Sequence, residues 1–260
     1  AEAVRRLEQD PALEDEIREM YNRWDRRDPE VVACWKETRQ WSLDGFNAMY
    51  NLLGIHFDRY YFNSMFEVPG KEMVEELLQK GIADDERPEN GAVVVKIDEK
   101  LGLKEEKYRV MVVLRSDGTA LYATEDLALA RQKFLDYPDL QKSFYVVDVR
   151  QSLHFQQVFK TLELAGYEWA TRCQHLPYEL VNLPGNVVMA SREGTVVLLE
   201  DLIREATDRA LTVVQEKNRE LSAEKQLEIA RAVGIGAIRF PMLARESNKV
   251  VTFDWESALD

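Results

Sequence analysis

Apolar positions near the start of the chain recur at helical spacing. In "DPALEDEIREMYNRW" (10–24), Leu13, Ile17, Met20 and Tyr21 fall at i, i+4, i+7 and i+8, on one face of a helix. Pro11 and Pro29 punctuate this region. A second helix is expected from Pro29 through Leu53. Val32, Trp35, Trp41, Phe46 and Tyr50 are among its apolar positions, and Gly54 is placed to cap it. "IHFDRYYFN" (55–63) reads as a short strand-like stretch, and "GKEMVEELLQKG" (70–81) as a helix between glycines. The β-branched run "GAVVVKI" (91–97) predicts a strand. Two more strands are expected around "SDGT" (116–119), because Asp-Gly between apolar runs signals a hairpin.

The pattern then changes. A strand near 120–123 is expected to lead into a helix over 124–136. "KSFYVVDV" (142–149) is nearly all apolar, as in strands buried on both faces. "SLHFQQVFKTLELAG" (152–166) predicts a helix with Ser152 at its N-cap and Gly166 just past its end. "HLPYELVNL" (175–183) reads as one more strand. This βαβαβ succession points to an α/β fold with a parallel sheet and right-handed crossovers. From Leu198 the chain is mainly helical, with Ser222 able to cap a helix and Pro241 acting as a kink or stop.

The chain has 260 residues, 45% of them hydrophobic, which is enough for one large domain or two smaller ones. Its formal net charge of −13 suits a soluble cytoplasmic protein and argues against a broad nucleic-acid-coating surface, since phosphate wants Lys and Arg. The two cysteines, Cys34 and Cys173, form no CxxC pair and have no His cluster beside them. Neither a zinc site nor a disulfide framework is expected. No apolar run approaches the roughly 20 residues of a membrane span, so no membrane partner is expected. Both ends read as cut, and the chain is expected to be part of a longer one.

In a doubly wound sheet, ligands bind outside the carboxyl ends of the strands. Three segments fall there: Tyr122 to Asp126, Val149 to His154, and Asn182 to Thr195. In "YATED", Thr124 can cap the helix, and Glu125 and Asp126 suit the positive end of its dipole. The other reading is a cation site, with Tyr122 and Asp126, four residues apart, facing the crevice. Gln151 and His154 stand at the second strand end. A lone histidine is usually structural, but an amide and an imidazole there can orient an amine, a ribose or an adenine. The third segment is a loop holding Met189, Ser191, Arg192, Gly194 and Thr195 before a helix. Its backbone N–H groups can cradle phosphate oxygens, although it is neither a Walker A nor a GxGxxG sequence.

Taken together, "LRSDGTALYATEDLALA", "VVDVRQSLHFQQVFKTLELAG" and "MASREGTVVLLEDLI" resemble the second half of the catalytic domain of arginyl-tRNA synthetase, a class I aminoacyl-tRNA synthetase. "LLGIHFDRYYFNS", "KGIADDERPENGAVVV" and "VVTFDWESALD" fit the same family, and only residues 1–40 resemble it weakly. The resemblance implies a partial Rossmann-like parallel sheet, with an insertion region over 1–107 and a catalytic half over 108–197. Residues 198–260 then form a helical segment leading toward an anticodon-binding domain.

The function implied is ATP-dependent activation of L-arginine and its transfer to tRNA(Arg), with Mg2+ accompanying ATP and no protein-bound metal. Family members are mostly monomeric. By the resemblance, Tyr122, Asp126 and Gln151 hold the arginine, and His154 and Met189 lie on the ATP side. Ser191 and Arg192 belong to the signature loop. Val188 and Ser191 stand where that loop usually has lysines. No HIGH-type motif is present, so the chain by itself is expected to be inactive. A synthetase-like paralogue or piece serving as a non-catalytic binding module is the alternative. On this reading Glu125 keeps the capping role, and Asp126 becomes the cation partner.

Overall fold

The computed structural model describes residues 2–183, 187–188 and 198–252. The chain opens with helices α1 (Glu2–Gln9), α2 (Leu13–Asp25), α3 (Pro29–Leu53) and α4 (Glu67–Gln79). Next come β1 (Asp84–Asp85), β2 (Val93–Lys96), the single turn α5 (Ile97–Lys100) and β3 (Val110–Leu114). Then follow α6 (Tyr122–Asp136), β4 (Ser143–Asp148), α7 (Ser152–Leu164) and β5 (Cys173–Tyr178). The last elements are β6 (Val181–Leu183), β7 (Val187–Val188), α8 (Leu199–Lys217), α9 (Ala223–Leu243) and β8 (Val251–Thr252). Contacts group these into two compact units, one from residues 1–58, 180–246 and 250–260, the other from 59–179 and 247–249.

In the first unit, α3 has the bounds its caps dictate. The Asp28 carboxylate accepts from the backbone N–H groups of Glu30 and Val31, and Gly54 ends the helix at φ +64°. Helices α8 and α9 pack through Ile203, Ala206 and Ile238, with Met49 and Leu53 of α3 against them. Ser222 caps α9 as expected. Pro241 sits inside the last turn of α9, which runs on to Leu243. Strand β6 pairs parallel with β8 and antiparallel with β7.

The second unit holds the candidate residues Tyr122, Asp126, Gln151 and His154. Strands β1, β2 and β3 form an antiparallel sheet. Strands β4 and β5 run parallel in register from Ser143–Cys173 to Asp148–Tyr178, with α7 as the crossover. The core joins Leu77 of α4, Val95 of β2, Val113 of β3, Leu127 of α6 and Leu162 of α7, all almost fully buried. The β3 entry is held twice. Asp98 accepts from the backbone N–H groups of Lys107, Tyr108 and Arg109 at 2.8–3.0 Å, and Gln157 donates to the carbonyls of Tyr108 and Val110.

Burial alone would raise the Asp98 carboxyl, but the three backbone donors outweigh it and hold it below the usual carboxylate range. A lowered folded-state value stabilises the fold above the unfolded value and is lost as pH falls through the folded one. Asp98→Asn is therefore expected to lower Tm at neutral pH. In melting curves, the gap from wild type should narrow between about pH 7 and about pH 2. A gap that stays constant with pH would mean the Asp98 charge contributes nothing.

Several expectations are corrected. The strand near 120–123 is reduced to one antiparallel bridge between Leu114 and Ala120, and α6 already begins at Tyr122. Thr124 is the reason. It lies in the first turn rather than at the N-cap, accepts from the Leu121 N–H at 2.9 Å, and donates to the Val113 carbonyl. Residues 55–62 form no strand, because side chains fix part of the stretch: Tyr61 donates to Asp136 at 2.7 Å and Arg59 pairs with the same carboxylate at 3.0 Å. Burial first, and then that bond, push the Tyr61 hydroxyl up to about 12.

Helix α4 begins at Glu67, so Gly70 lies inside it. Strand β4 is not buried on both faces: Tyr145 is buried, whereas Phe144 is 51% and Val146 60% exposed. The stretch 175–183 breaks at Glu179 into β5 and β6. Helix α7 has Gln151 at its N-cap, and Ser152 instead donates to the Val149 carbonyl at 2.6 Å. Gly166, at φ +88°, ends it as expected.

Candidate functional site

Tyr122 and Asp126 both belong to the start of α6. The i, i+4 spacing puts them on one helix face rather than across a strand-to-helix junction. Tyr122 is 77% exposed, and its hydroxyl makes no hydrogen bond among the described residues. Asp126 looks across to α7, where the His154 Nε2–H donates to Oδ2 at 2.7 Å. Both side chains are about three-quarters covered, with exposures of 25% for Asp126 and 26% for His154. The carboxylate is thus partly desolvated yet within reach of a ligand.

Glu125 is engaged elsewhere. It accepts from the Asn63 side-chain amide and stands in the first turn of α6, where the helix dipole favours an acid. Burial raises its carboxyl, the Asn63 bond opposes this, and the charges of Asp126 and Glu67 add to the rise. Asp126 is the acid of the pair that has an imidazole partner.

The start of α7 is fixed by its own turn. Asp148 accepts from the Arg150 backbone at 2.8 Å and forks onto its guanidinium. This places Gln151 at the N-cap, exposed, with no side-chain hydrogen bond among the described residues. The His154 ring meets Phe155 edge-on at 5.0 Å, and Phe155 in turn contacts Tyr145 at 5.2 Å and His175 at 5.3 Å.

A second group of polar atoms lies behind the pair. The Lys133 ammonium sits 3.8 Å from the centre of the Tyr145 ring. Burial lowers Lys133 from its ordinary value, against the pull of Cys173 and Asp126. Burial likewise raises the Cys173 thiol and the Tyr145 hydroxyl, so neither is an activated nucleophile. The Tyr145 hydroxyl is buried beside Ser143 and Cys173.

The structure therefore brings Asp126 and His154 together, and among the described residues it leaves the polar groups of Tyr122 and Gln151 without a hydrogen bond. Met189, Ser191 and Arg192 lie outside the described residues. Lys133 and Asn63 were not among the sequence candidates. Lys133 had a usable signal, since it stands seven residues after Asp126, two helical turns along the same face. Asn63 had none, because its bond to Glu125 spans 62 residues of chain. Chemically, the arrangement offers a partly buried carboxylate, a phenol and an amide. That set suits a ligand cation with several N–H donors and supplies no protein nucleophile.

A family model described as class I tRNA synthetases (R), catalytic domain, matches residues 1–255. A Clostridium botulinum (strain Alaska E43 / Type E3) protein named arginine–tRNA ligase is 41% identical over 254 residues, covering 97% of this chain and 42% of the relative. The protein of that name from Clostridium perfringens (strain 13 / Type A) matches with the same identity and coverage. Among solved structures, Thermus thermophilus arginyl-tRNA synthetase aligns with a TM-score of 0.68 at 27% identity, over 98% of this chain and 47% of that one. Arginyl-tRNA synthetase from Plasmodium falciparum aligns with a TM-score of 0.71 at 20% identity, over 96% and 41%, a likeness of fold. The chain thus spans under half the length of the curated relatives it matches.

Proposed function

Since this chain belongs to the catalytic-domain family of the class I arginyl-tRNA synthetases, we propose that the whole protein activates L-arginine with ATP and transfers it to tRNA(Arg). Its fold is that of the class I synthetase catalytic domain. The observation that carries the substrate assignment is the Asp126 carboxylate, partly buried and held by His154 at the exposed start of α6. A guanidinium is planar, permanently charged and donates through a fork, so a carboxylate is its natural partner. Tyr122 and Gln151 supply the remaining polar contacts to the amino acid.

The reaction is an attack by the arginine carboxylate on the ATP α-phosphate, with pyrophosphate leaving. The tRNA then displaces AMP from the arginyl-adenylate. Both steps depend on positioning and on charge stabilisation rather than on a protein nucleophile. Met189, Ser191 and Arg192 are assigned to the ATP side and the signature loop, with Mg2+ accompanying ATP. The resemblance places His154 in the segment on that side too, and its bond to Asp126 makes it equally a neighbour of the amino-acid pocket.

The test is arginine-dependent exchange of pyrophosphate into ATP by the full-length gene product, with tRNA(Arg) present, followed by charging of that tRNA. Exchange stimulated by arginine and by no other amino acid is the expected result. Val188 and Ser191, standing where lysines usually do, favour a second reading as a non-catalytic binding module. Arginine or tRNA binding without exchange would establish that reading instead.

A further inference from the structure

We propose that His154 is a positioning residue for Asp126, holding the carboxylate in the plane in which it receives the substrate guanidinium. This rests on the assignment of Asp126 to the arginine. An aspartate in the first turns of a helix with a quarter of its side chain exposed would otherwise rotate between several orientations. The 2.7 Å bond from His154 Nε2 to Oδ2 selects one of them.

The selection is stiff because His154 is itself braced. It projects from the first turn of α7, whose entry is set by the Asp148–Arg150 turn and the Ser152 hydroxyl, and its ring abuts Phe155. Phe155 is buried among Tyr145 and His175. The position of β4 is thereby transmitted to the carboxylate through side chains with little freedom.

The bond also leaves room for the ligand. An ionised carboxylate offers about four acceptor positions, of which one imidazole N–H occupies one. Among the described residues no other donor bonds this carboxylate, which leaves all of Oδ1 and the second lone pair of Oδ2 for the paired N–H groups of a guanidinium. Glutamine can place an amide N–H near the reach of Nε2, so it is the conservative replacement.

The experiment compares wild type, His154→Ala, His154→Gln, Asp126→Ala and the double variant Asp126→Ala/His154→Ala in the full-length protein. KM for arginine, KM for ATP and kcat are read in pyrophosphate exchange, and arginine Kd by calorimetry. His154→Ala is expected to raise arginine KM and Kd about tenfold, the cost of one hydrogen bond to a charged group. Its KM for ATP should rise by clearly less than its KM for arginine. His154→Gln should recover most of the loss, and the double variant should be no weaker for arginine than Asp126→Ala alone.

The inference is overturned if KM for ATP rises as much as that for arginine, if glutamine is no better than alanine, or if the two single losses add. It is also overturned if His154→Ala leaves arginine binding unchanged while Asp126→Ala weakens it, and the arginine assignment then stands. If Asp126→Ala leaves arginine binding unchanged, or the wild type binds no arginine, that assignment fails and the inference fails with it.

Discussion

Replacing Asp126 by alanine is expected to raise the KM for arginine about a hundredfold, which corresponds to roughly 3 kcal/mol of lost binding. Truncating one partner of a desolvated, hydrogen-bonded charge pair typically costs about 2–5 kcal/mol. A carboxylate still 25% exposed belongs toward the lower end of that range. The fold should lose only about 1–2 kcal/mol, from the helix-start charge and the single bond to His154. Asp126→Asn, which keeps the shape and removes the charge, should weaken arginine far more than ATP. The measurement is pyrophosphate exchange with each substrate varied in turn, alongside a thermal melt of each variant. Unchanged arginine dependence together with a lower Tm would reduce Asp126 to a helix-start residue. Equal effects on both substrates would remove it as the cation partner.

Gly70→Ala should destabilise the fold by about 2 kcal/mol, the cost of forcing a methyl group into a packed contact that has to give. A Cβ at position 70 would lie 2.7 Å from the Thr124 carbonyl oxygen and 3.0 Å from its carbonyl carbon. Both are backbone atoms of α6, so the strain is relieved only by moving that helix away from α4. Thr124 stands two residues before Asp126, and its hydroxyl ties the start of α6 to β3. The variant should therefore also raise the KM for arginine. Gly45→Ala is the control. Nothing lies within 4 Å of a Cβ there, and alanine inside α3 should stabilise the helix by about 1 kcal/mol. Equal shifts for the two variants in thermal or urea unfolding would show that the α4–α6 contact is not tight.

The same two regions show what could be read from the chain alone. Helix α3 was legible to its last residue because both of its signals are local: the Asp28 cap with Pro29 behind it, and Gly54 at positive φ. The β4–α7–β5 unit was legible because apolar strands alternating with a helical period leave few other topologies. Gly70 was misread as a helix boundary, since its reason for being glycine is a helix 54 residues away. Tyr122 was read as strand because Leu121 and Tyr122 follow an Asp-Gly turn. The Thr124 bonds to Leu121 and Val113 convert the junction into a helix start, and no local propensity encodes them. Of the candidate site, Tyr122, Asp126, Gln151 and His154 stood out in the sequence as polar residues at an edge. Their pairing did not, because the bond from Asp126 to His154 crosses 28 residues.

The outward side of the β4–β5 pair has a colloidal consequence. Phe144, Val146, Leu176 and Tyr178 all stand exposed there, forming an oily strip on a molecule whose formal net charge is −13. At low ionic strength, mutual repulsion keeps such strips from meeting in solution. At about 1 M salt the screening length shrinks to about 3 Å and the attraction is left unopposed. As acidity protonates the carboxylates, the repulsion itself fades. The 260-residue polypeptide should therefore be monodisperse in dilute neutral buffer and turn turbid on salting or acidification. Charged substitutions at Phe144 and Val146 should keep it dispersed under both conditions.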